Sequence, residues 1–218
     1  LAHDITNMHQ AILVALSILE MEGADDVARN LAIIDARTSL ERAAHIVENV
    51  RQIGLADQTG REQLDEKDLV STIIDAYNQV RSEFPDSHIE FSLDNKEGHC
   101  FVQANNLLLD LFYNLFKNAL AYSPDAKKID VSIKYEKHDG EDYWKVKIAD
   151  YGRGIDDKRK AHLFQRFMKG AEGMGLGLSV VLALVKSFGG VIEVEDRVPG
   201  DYTQGTVFIV YLPLASKI

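Results

Sequence analysis

The chain has 218 residues, 46% of them hydrophobic, and a formal net charge of -10. It is long enough to bury a core. The negative charge disfavours a nucleic-acid partner, because proteins that bind the phosphate backbone do so with clustered Lys and Arg. The single cysteine, Cys100, excludes an intrachain disulfide. The longest apolar stretch, 176–185, is shorter than the roughly 18 residues that a membrane-spanning helix needs.

Residues 1–55 predict a helical hairpin. Apolar residues recur at three- and four-residue steps from Ile5 to Leu19, and a second such pattern runs from Val27 to Ile53. Two amphipathic helices bury little surface alone, so we expect two copies to pair into a dimeric four-helix bundle. The chain starts without methionine and already in helical rhythm, so we interpret it as a piece of a longer protein.

Residues 56–66 are polar and lack periodicity, which predicts a linker. Residues 67–218 mix helical and strand patterns, which predicts a two-layer α/β sandwich and an α+β fold class for the chain. The predicted helices cover 67–83, 105–122 and 176–188. The predicted strands lie near 88–94, 100–104, 128–136, 143–149, 191–196 and 205–212, with a loop region between the fourth strand and the last helix.

A glycine-rich loop precedes the last predicted helix. The stretch "GAEGMGLGL" has glycines at alternate positions, Gly173, Gly175 and Gly177. It lacks the lysine of a GxxxxGK[ST] phosphate loop and the spacing of a GxGxxG dinucleotide fingerprint. Glycines allow close approach of a ligand, and a helix that starts near Leu176 directs free amide groups at an anion. Phosphate binding and simple loop closure are equally good interpretations of this motif alone.

Two further motifs carry polar side chains that suit a nucleotide. Asn114 and Asn118 lie one turn apart on a largely apolar helix, where their carbonyl oxygens can bind Mg²⁺ together with substrate phosphates. A polar stripe facing solvent is the alternative. "ADYGRGI" places Asp150 at a strand end before Gly152 and Gly154, where a carboxylate can accept a hydrogen bond from an exocyclic amine. The glycines would let a flat ring approach the backbone, although the motif alone is also typical of a turn.

In chain order, NxxxN, DxGxGI and GxGLGL resemble the N, G1 and G2 boxes of the ATP-binding domain of sensor histidine kinases, relatives of gyrase and the heat-shock chaperone ATPases. Phe164 and Phe167 are similar to the family's F box, and Gly205-Thr206 to its last glycine box. The resemblance implies that ATP and Mg²⁺ bind here. It implies nucleotide contacts from Asn114, Lys117, Asn118, Tyr122, Asp150, Gly152, Gly154, Ile155, Gly173, Gly175, Leu176, Gly177, Leu178 and Thr206, with the metal at Asn118 and Asn114.

The first helix begins with "HDITN", which resembles the family's phosphoacceptor H box. A neutral imidazole nitrogen of His3 can attack a γ-phosphoryl group, while Asp4 accepts or orients the other ring proton. Asn7 lies one turn later, where its amide can hold a water for the reverse, hydrolytic step. We therefore expect His3, Asp4 and Asn7 to be catalytic.

The resemblance also implies the function of the whole. It implies that MgATP phosphorylates His3 and that the phosphoryl group passes to an aspartate on a response-regulator receiver domain, which the same protein can dephosphorylate. It further implies a homodimer, an upstream sensor domain that this chain lacks, and the cytoplasmic portion of a membrane-anchored sensor.

The segment 155–172 is similar to the family's ATP lid. Arg166 and Lys169 near its end are candidate phosphate contacts, and solvated charges without a ligand are an equally good interpretation. The pattern departs from the family at Ala121, where relatives often carry a basic or histidine side chain. Phosphate contact from this helix therefore falls to Lys117 or is missing.

Two other functions stay open. In a gyrase-like ATPase, nucleotide only clamps a dimer, and a carboxylate general base is expected at the N box. Asp110, one turn before Asn114, is the candidate for that base. A dimeric scaffold that senses nucleotide without kinase activity is the other alternative.

Overall fold

The computed structural model describes residues 2–21, 25–59, 64–85, 87–123, 127–138, 140–168 and 177–215. Its helices are α1 (Ala2–Glu20), α2 (Asp26–Thr59), α3 (Leu69–Ser82), α4 (Leu107–Ala121), α5 (Asp157–Met168) and α6 (Gly177–Ser187). Its strands are β1 (Asp65–Asp68), β2 (Glu90–Asn95), β3 (Phe101–Ala104), β4 (Lys128–His138), β5 (Glu141–Asp150), β6 (Val191–Val198) and β7 (Asp201–Pro213).

Five strands form one mixed sheet in the order β2-β4-β5-β7-β6. The β2–β4 pair is parallel and the other three pairs are antiparallel. Every second side chain is buried over 129–133 of β4 and 144–150 of β5, as the alternating apolar residues there predict. That buried face meets α4 and α6, so helices cover one side of the sheet and the expected two-layer α/β arrangement is confirmed.

Helix α4 forms the centre of the helical layer. Its apolar residues recur at helical spacing, which gives it one continuous buried face. The buried apolar side chains of α4 are Leu108, Leu111, Phe112, Leu115, Phe116, Ala119 and Leu120. Helix α4 packs against both α3 and α6. This packing places its polar residues Asn114 and Asn118 beside Gly177, where α6 begins.

Helices α1 and α2 lie against each other, and α2 continues onto the helical layer. Gln52 is buried, and its Nε2 donates a hydrogen bond to Asp110 Oδ1 of α4 at 2.8 Å. Many apolar side chains on the pair remain exposed, among them Leu13, Val14, Leu16, Leu31, Ile33, Ile34 and Leu40. No helix within the described residues is both long and apolar enough to cross a membrane.

Three boundaries differ from the sequence predictions. Helix α2 runs to Thr59, inside the predicted linker 56–66, because Ala56 is buried in the main core. The helix predicted from residue 67 begins at Leu69, since Asp68 caps it by accepting a bond from the Val70 N–H at 3.1 Å. The four residues before it form β1, which pairs with β3.

Helix α5 lies in the region predicted as a loop. The side chain of Asp156 caps its start by accepting a bond from the Arg159 N–H at 3.0 Å. Lys160 then bonds to Asp157 of its own helix and to Asp196 of β6, and Leu163 is fully buried. Capping and contact with the sheet stabilise this helix together with its own amphipathic sequence, in which apolar residues recur at helical spacing from Leu163 to Met168. The prediction of a loop overlooked that pattern and was wrong.

Candidate functional site

Asp150, at the end of β5, is enclosed by backbone donors. Its side chain is 6% exposed, and Oδ1 accepts bonds from the Gly152 N–H at 2.9 Å and the Thr206 N–H at 3.1 Å. Burial raises the pKa of the Asp150 carboxyl, while these two N–H groups and the positive charge of Arg197 act in the opposite direction. Both bonds use Oδ1, which leaves Oδ2 to accept a hydrogen bond from a ligand.

The glycines after Asp150 are required by the protein's own packing. A Cβ on Gly152 would lie 2.3 Å from the carbonyl oxygen of Tyr122. A Cβ on Gly154, which has φ +66°, would lie 1.6 Å from the carbonyl oxygen of Tyr202. From the sequence, both glycines were expected to allow the approach of a flat ring or to form a turn. The structure gives a different reason, because the space beside each glycine is filled by the end of α4 or the start of β7.

The paired asparagines of α4 face the first residue of α6. A Cβ on Gly177 would lie 3.0 Å from Asn114 Oδ1 and 3.9 Å from Asn118 Nδ2. Asn114 is buried, and its Nδ2 donates to the Asp110 carbonyl oxygen at 2.8 Å. Asn118 Nδ2 is buried and has no hydrogen-bond partner within the part of the chain that the structure describes. An unpaired buried amide is costly, so this atom points to a missing ligand.

The residues at this site fit both ATP and Mg²⁺, the two ligands that the resemblance implies. The Asp150 carboxylate can accept a hydrogen bond from the exocyclic amine of adenine. An amide side chain presents either its oxygen or its nitrogen after a half-turn, so Asn114 and Asn118 can offer oxygens to Mg²⁺. The amides at the start of α6 can bind phosphate oxygens. Within the described ranges, no cluster of three or more His, Cys, Asp or Glu side chains is placed to hold a metal.

A protein-family model described as histidine kinase-, DNA gyrase B- and HSP90-like ATPase matches residues 103–216. The chain belongs to this family. The resemblance stated from the N, G1 and G2 boxes is therefore confirmed, and residues 103–216 constitute an ATP-binding domain of this family.

Relatives of this ATPase by sequence are named as sensor kinases. Sensor histidine kinase ZraS of Klebsiella oxytoca is 31% identical over 219 residues, 98% of this chain and 44% of ZraS. The histidine-protein kinase/phosphatase MprB of Mycobacterium avium (strain 104) is 28% identical over 163 residues, 72% of this chain and 30% of MprB. The chain thus spans less than half the length of these relatives.

Solved structures agree with the assignment of the ATPase fold. The mycobacterial sensor histidine kinase MprB has a TM-score of 0.58 and 26% identity, over 71% of this chain and 99% of that chain. The histidine kinase AdeS of Acinetobacter baumannii has a TM-score of 0.67 over 96% of this chain and 98% of that chain. At 19% identity, AdeS is a likeness of fold.

Five other residues that were predicted to contact the nucleotide are described by the structure. Tyr122 is exposed beside the loop after β5, where its carbonyl accepts from the Arg153 N–H at 3.2 Å and its ring lies 5.0 Å from the Arg153 guanidinium carbon. Ile155 packs against the main core, and Leu178 and Thr206 are buried. Lys117 is engaged elsewhere, because its Nζ donates to the Tyr113 hydroxyl at 3.0 Å and pairs with Glu83 at 3.2 Å.

Several predicted residues fall outside what the structure describes. These are Gly173, Gly175, Leu176 and Lys169, together with the side chains of His3, Asp4, Phe164, Arg166 and Phe167. Asn7 is described, and its side chain is exposed on α1.

Two residues beside the site, Arg197 and Gln52, belong to no motif of the sequence. Arg197 approaches Asp150 only because β6 and β7 bring it there, and no motif surrounds it in the sequence. Gln52 is buried because α2 packs against the ATPase domain, and it occurs in an ordinary polar stretch. Neither position carries a local signal that could have identified it.

Proposed function

We propose that the chain is the catalytic core of a sensor histidine kinase, which uses MgATP to phosphorylate His3 and passes the phosphoryl group to an aspartate on a response-regulator receiver domain. The observation that carries the proposal is that two polar side chains of the ATPase domain each have an atom available to a ligand. These are Asp150, which has Oδ2 left for an amine, and Asn118, whose buried Nδ2 lacks a partner in the described chain.

Each end of the site has its own task. Asp150 orients the adenine ring through the exocyclic amine, while Asn114, Asn118 and the first turn of α6 hold the phosphate end. Mg²⁺, when bound, neutralises charge on the phosphates during transfer. Positioning and charge neutralisation account for most of phosphoryl-transfer catalysis, so these residues need no covalent role of their own.

The covalent step takes place at His3. A ring nitrogen of His3 bonds to the γ-phosphorus as the bond from that phosphorus to the bridging oxygen breaks, and ADP leaves with the bonding electrons. Asp4 takes the proton from the other ring nitrogen. Asn7, exposed on the same helix, positions a water for dephosphorylation of the regulator.

The exposed apolar side chains of α1 and α2 support a homodimer. They include Leu13, Leu16, Leu31 and Ile34, and a second copy would cover them in a four-helix bundle. In this arrangement 1–55 is the dimerisation and phosphoacceptor unit, 56–66 the connection and 67–218 the ATP-binding unit. The remainder of the protein would supply the sensor and any membrane anchor, with this part in the cytoplasm.

The position of Asp110 favours a kinase over a gyrase-like ATPase. A general base at the N box should have a carboxylate available to a water near the phosphates. The Asp110 carboxylate instead lies against α2, where Oδ1 accepts a bond from Gln52 Nε2 at 2.8 Å and the charges of Glu48 and Arg51 act on the carboxyl. Its part in the site is indirect, through the carbonyl oxygen that fixes Asn114.

Incubation with γ-labelled ATP and Mg²⁺, followed by a test of acid lability and mapping by mass spectrometry, tests the proposal. We expect acid-labile label on His3, which His3→Ala abolishes while ATP binding persists. His9→Ala is the matched control, since His9 lies on the same helix, is exposed and should have no effect. Asn118→Ala should weaken Mg²⁺-dependent ATP binding. Label that persists in His3→Ala, or steady ATP hydrolysis without a phosphoprotein, would refute the assignment.

A further inference from the structure

Arg197 lies at an irregularity in the pairing of β6 with β7. Asp196 pairs with Thr206 and Val198 pairs with Asp201, so the single residue Arg197 stands opposite the four residues 202–205. Irregularities of this kind redirect side chains and are common beside active sites. Here the irregularity directly adjoins Thr206, whose N–H donates to Asp150.

The Arg197 side chain joins the two segments that hold Asp150. Its Nε donates a hydrogen bond to the Gln204 carbonyl oxygen at 2.5 Å, two residues before Thr206. Its guanidinium carbon lies 4.1 Å from the centroid of the Tyr151 ring, and Tyr151 directly follows Asp150. A planar guanidinium can bond at its edge and stack on an aromatic face at the same time, which an ammonium cannot do.

The two segments are packed too closely to move independently of Asp150. A Cβ on Gly205, which has φ +112°, would lie 2.2 Å from the Asp150 carbonyl oxygen. A shift of the start of β7 would therefore displace both the backbone of Asp150 and the Thr206 N–H that bonds its side chain. The positive charge of Arg197 also acts on the Asp150 carboxylate, against the effect of burial on the pKa of that group.

The state of Asp150 decides which purine it prefers. A carboxylate accepts a hydrogen bond from a 6-amino group and repels the oxygen of a 6-oxo group. A protonated or displaced carboxyl loses that discrimination, because it can donate to a 6-oxo group or fail to reach the amine. Selection of adenine therefore requires Asp150 to be both ionised and correctly placed.

We propose that Arg197 is a positioning residue that makes this site select a 6-amino purine over a 6-oxo purine, by holding Tyr151 and Gln204 together around a negatively charged Asp150. This inference rests on the proposed function, because it takes the ring of the nucleotide to bind at Asp150. The guanidinium does not have to contact the nucleotide in order to act.

The test compares Mg²⁺-dependent binding of ATP and inosine triphosphate by titration calorimetry. The two ligands share the ribose and the triphosphate and differ in the purine, where inosine has a 6-oxo group and a hydrogen on N1 in place of the 6-amino group and the unprotonated N1 of adenine. The ratio of their affinities for one variant cancels general losses of folded protein. In Arg197→Gln we expect the preference for ATP to fall by about tenfold, the scale of one charge-assisted hydrogen bond. Arg197→Lys retains the charge without the guanidinium plane, so we expect a preference between those of the wild type and Arg197→Gln.

Lys128→Gln is the matched control. Lys128 Nζ also lies over the Tyr151 ring, 4.9 Å from its centroid, and pairs with Asp130 of its own strand. Its removal should leave the ATP preference unchanged. If Arg197→Gln weakens both nucleotides equally, or if the wild type does not distinguish them, the inference is wrong. Failure of the wild type to bind ATP at all would instead refute the proposed function.

Discussion

Alanine at Gly177 tests the contact between α4 and α6 at the phosphate end of the site. The added Cβ would lie 3.0 Å from Asn114 Oδ1, closer than van der Waals contact, so the Asn114 amide must move by a few tenths of an ångström. That amide is held by its hydrogen bond to the Asp110 carbonyl oxygen at 2.8 Å. The displacement therefore acts directly on an oxygen that we propose binds Mg²⁺.

The expected effects on stability and on ligand affinity are different in size. Alanine in place of glycine stabilises a helix by about 0.5–1 kcal/mol, and weakening of the Asn114–Asp110 bond costs about 0.5–1.5 kcal/mol. The free energy of unfolding should therefore stay within about 1 kcal/mol of the wild type. Mg²⁺-dependent ATP affinity should fall by about tenfold, or roughly 1.4 kcal/mol, because a polar contact of the bound state is displaced.

Urea unfolding and ATP titrations with and without Mg²⁺ measure these quantities. Gly54→Ala is the control, since a Cβ on that α2 residue has no atom within 4 Å. It should raise the free energy of unfolding without changing ATP affinity. Once Asn114→Ala has removed the clashing oxygen, adding Gly177→Ala should reduce affinity no further. Wild-type affinity in Gly177→Ala, or additive losses in the double variant, would refute the reasoning.

Three other substitutions or reactions test the surrounding structure. Gly154→Ala should lower the free energy of unfolding by about 2 kcal/mol or more, because its Cβ would meet the Tyr202 carbonyl oxygen at 1.6 Å and φ is +66°; unchanged urea unfolding would contradict this. Asp110→Asn should raise the free energy of unfolding at pH 7 by about 1 kcal/mol, because it removes a half-buried charge. The new amide also offers an N–H to Gln52 Oε1, which is buried without a partner among the described residues. Burial and Glu48 raise the pKa of the Asp110 carboxyl above its unfolded value, so the wild type becomes more stable as the pH falls through that pKa. The stability advantage of Asp110→Asn should therefore shrink between pH 7 and pH 4, and an advantage independent of pH would contradict the argument. The Cys100 thiol is buried, and burial raises its pKa to about 11. It should therefore react with a disulfide reagent at pH 8 at least about a hundredfold more slowly in the folded protein than in urea. Equal rates would show that the thiol is accessible.

Elements with a strong local pattern were predicted close to their observed bounds. Helix α4 was expected over 105–122 and spans Leu107–Ala121, because its apolar residues recur at helical spacing. Strand β4 was expected near 128–136 and spans Lys128–His138, because its apolar residues Ile129, Val131 and Ile133 alternate with polar ones and are buried. The order of the N, G1 and G2 boxes was likewise readable along the chain, and it was sufficient to predict the family.

Elements stabilised mainly by distant contacts were missed. Strand β1 has the sequence DEKD, which carries no strand signal, and it exists because β3 lies beside it. Helix α5 was missed for a different reason, because its apolar residues do recur at helical spacing but lie within a segment that was read as a loop; its Asp156 cap and the bond from Lys160 to Asp196 of β6 add to its stability. The end of α2 was predicted as linker because its residues are polar, whereas Ala56 within it is buried by the ATPase domain.

The sequence by itself determined which residue types the site contains, since the asparagines, Asp150 and the glycines stand in recognisable spacings. Only the tertiary structure decided what those residues do for one another. Asp150 and Thr206 are 56 positions apart, yet a backbone N–H of one holds the carboxylate of the other. Arg197 contacts Tyr151 and Gln204, which lie on the segments that carry these two residues, at the point where β6 and β7 pair irregularly. Such relations depend on the packing of strands and helices that are remote in sequence, and local periodicity carries no information about them.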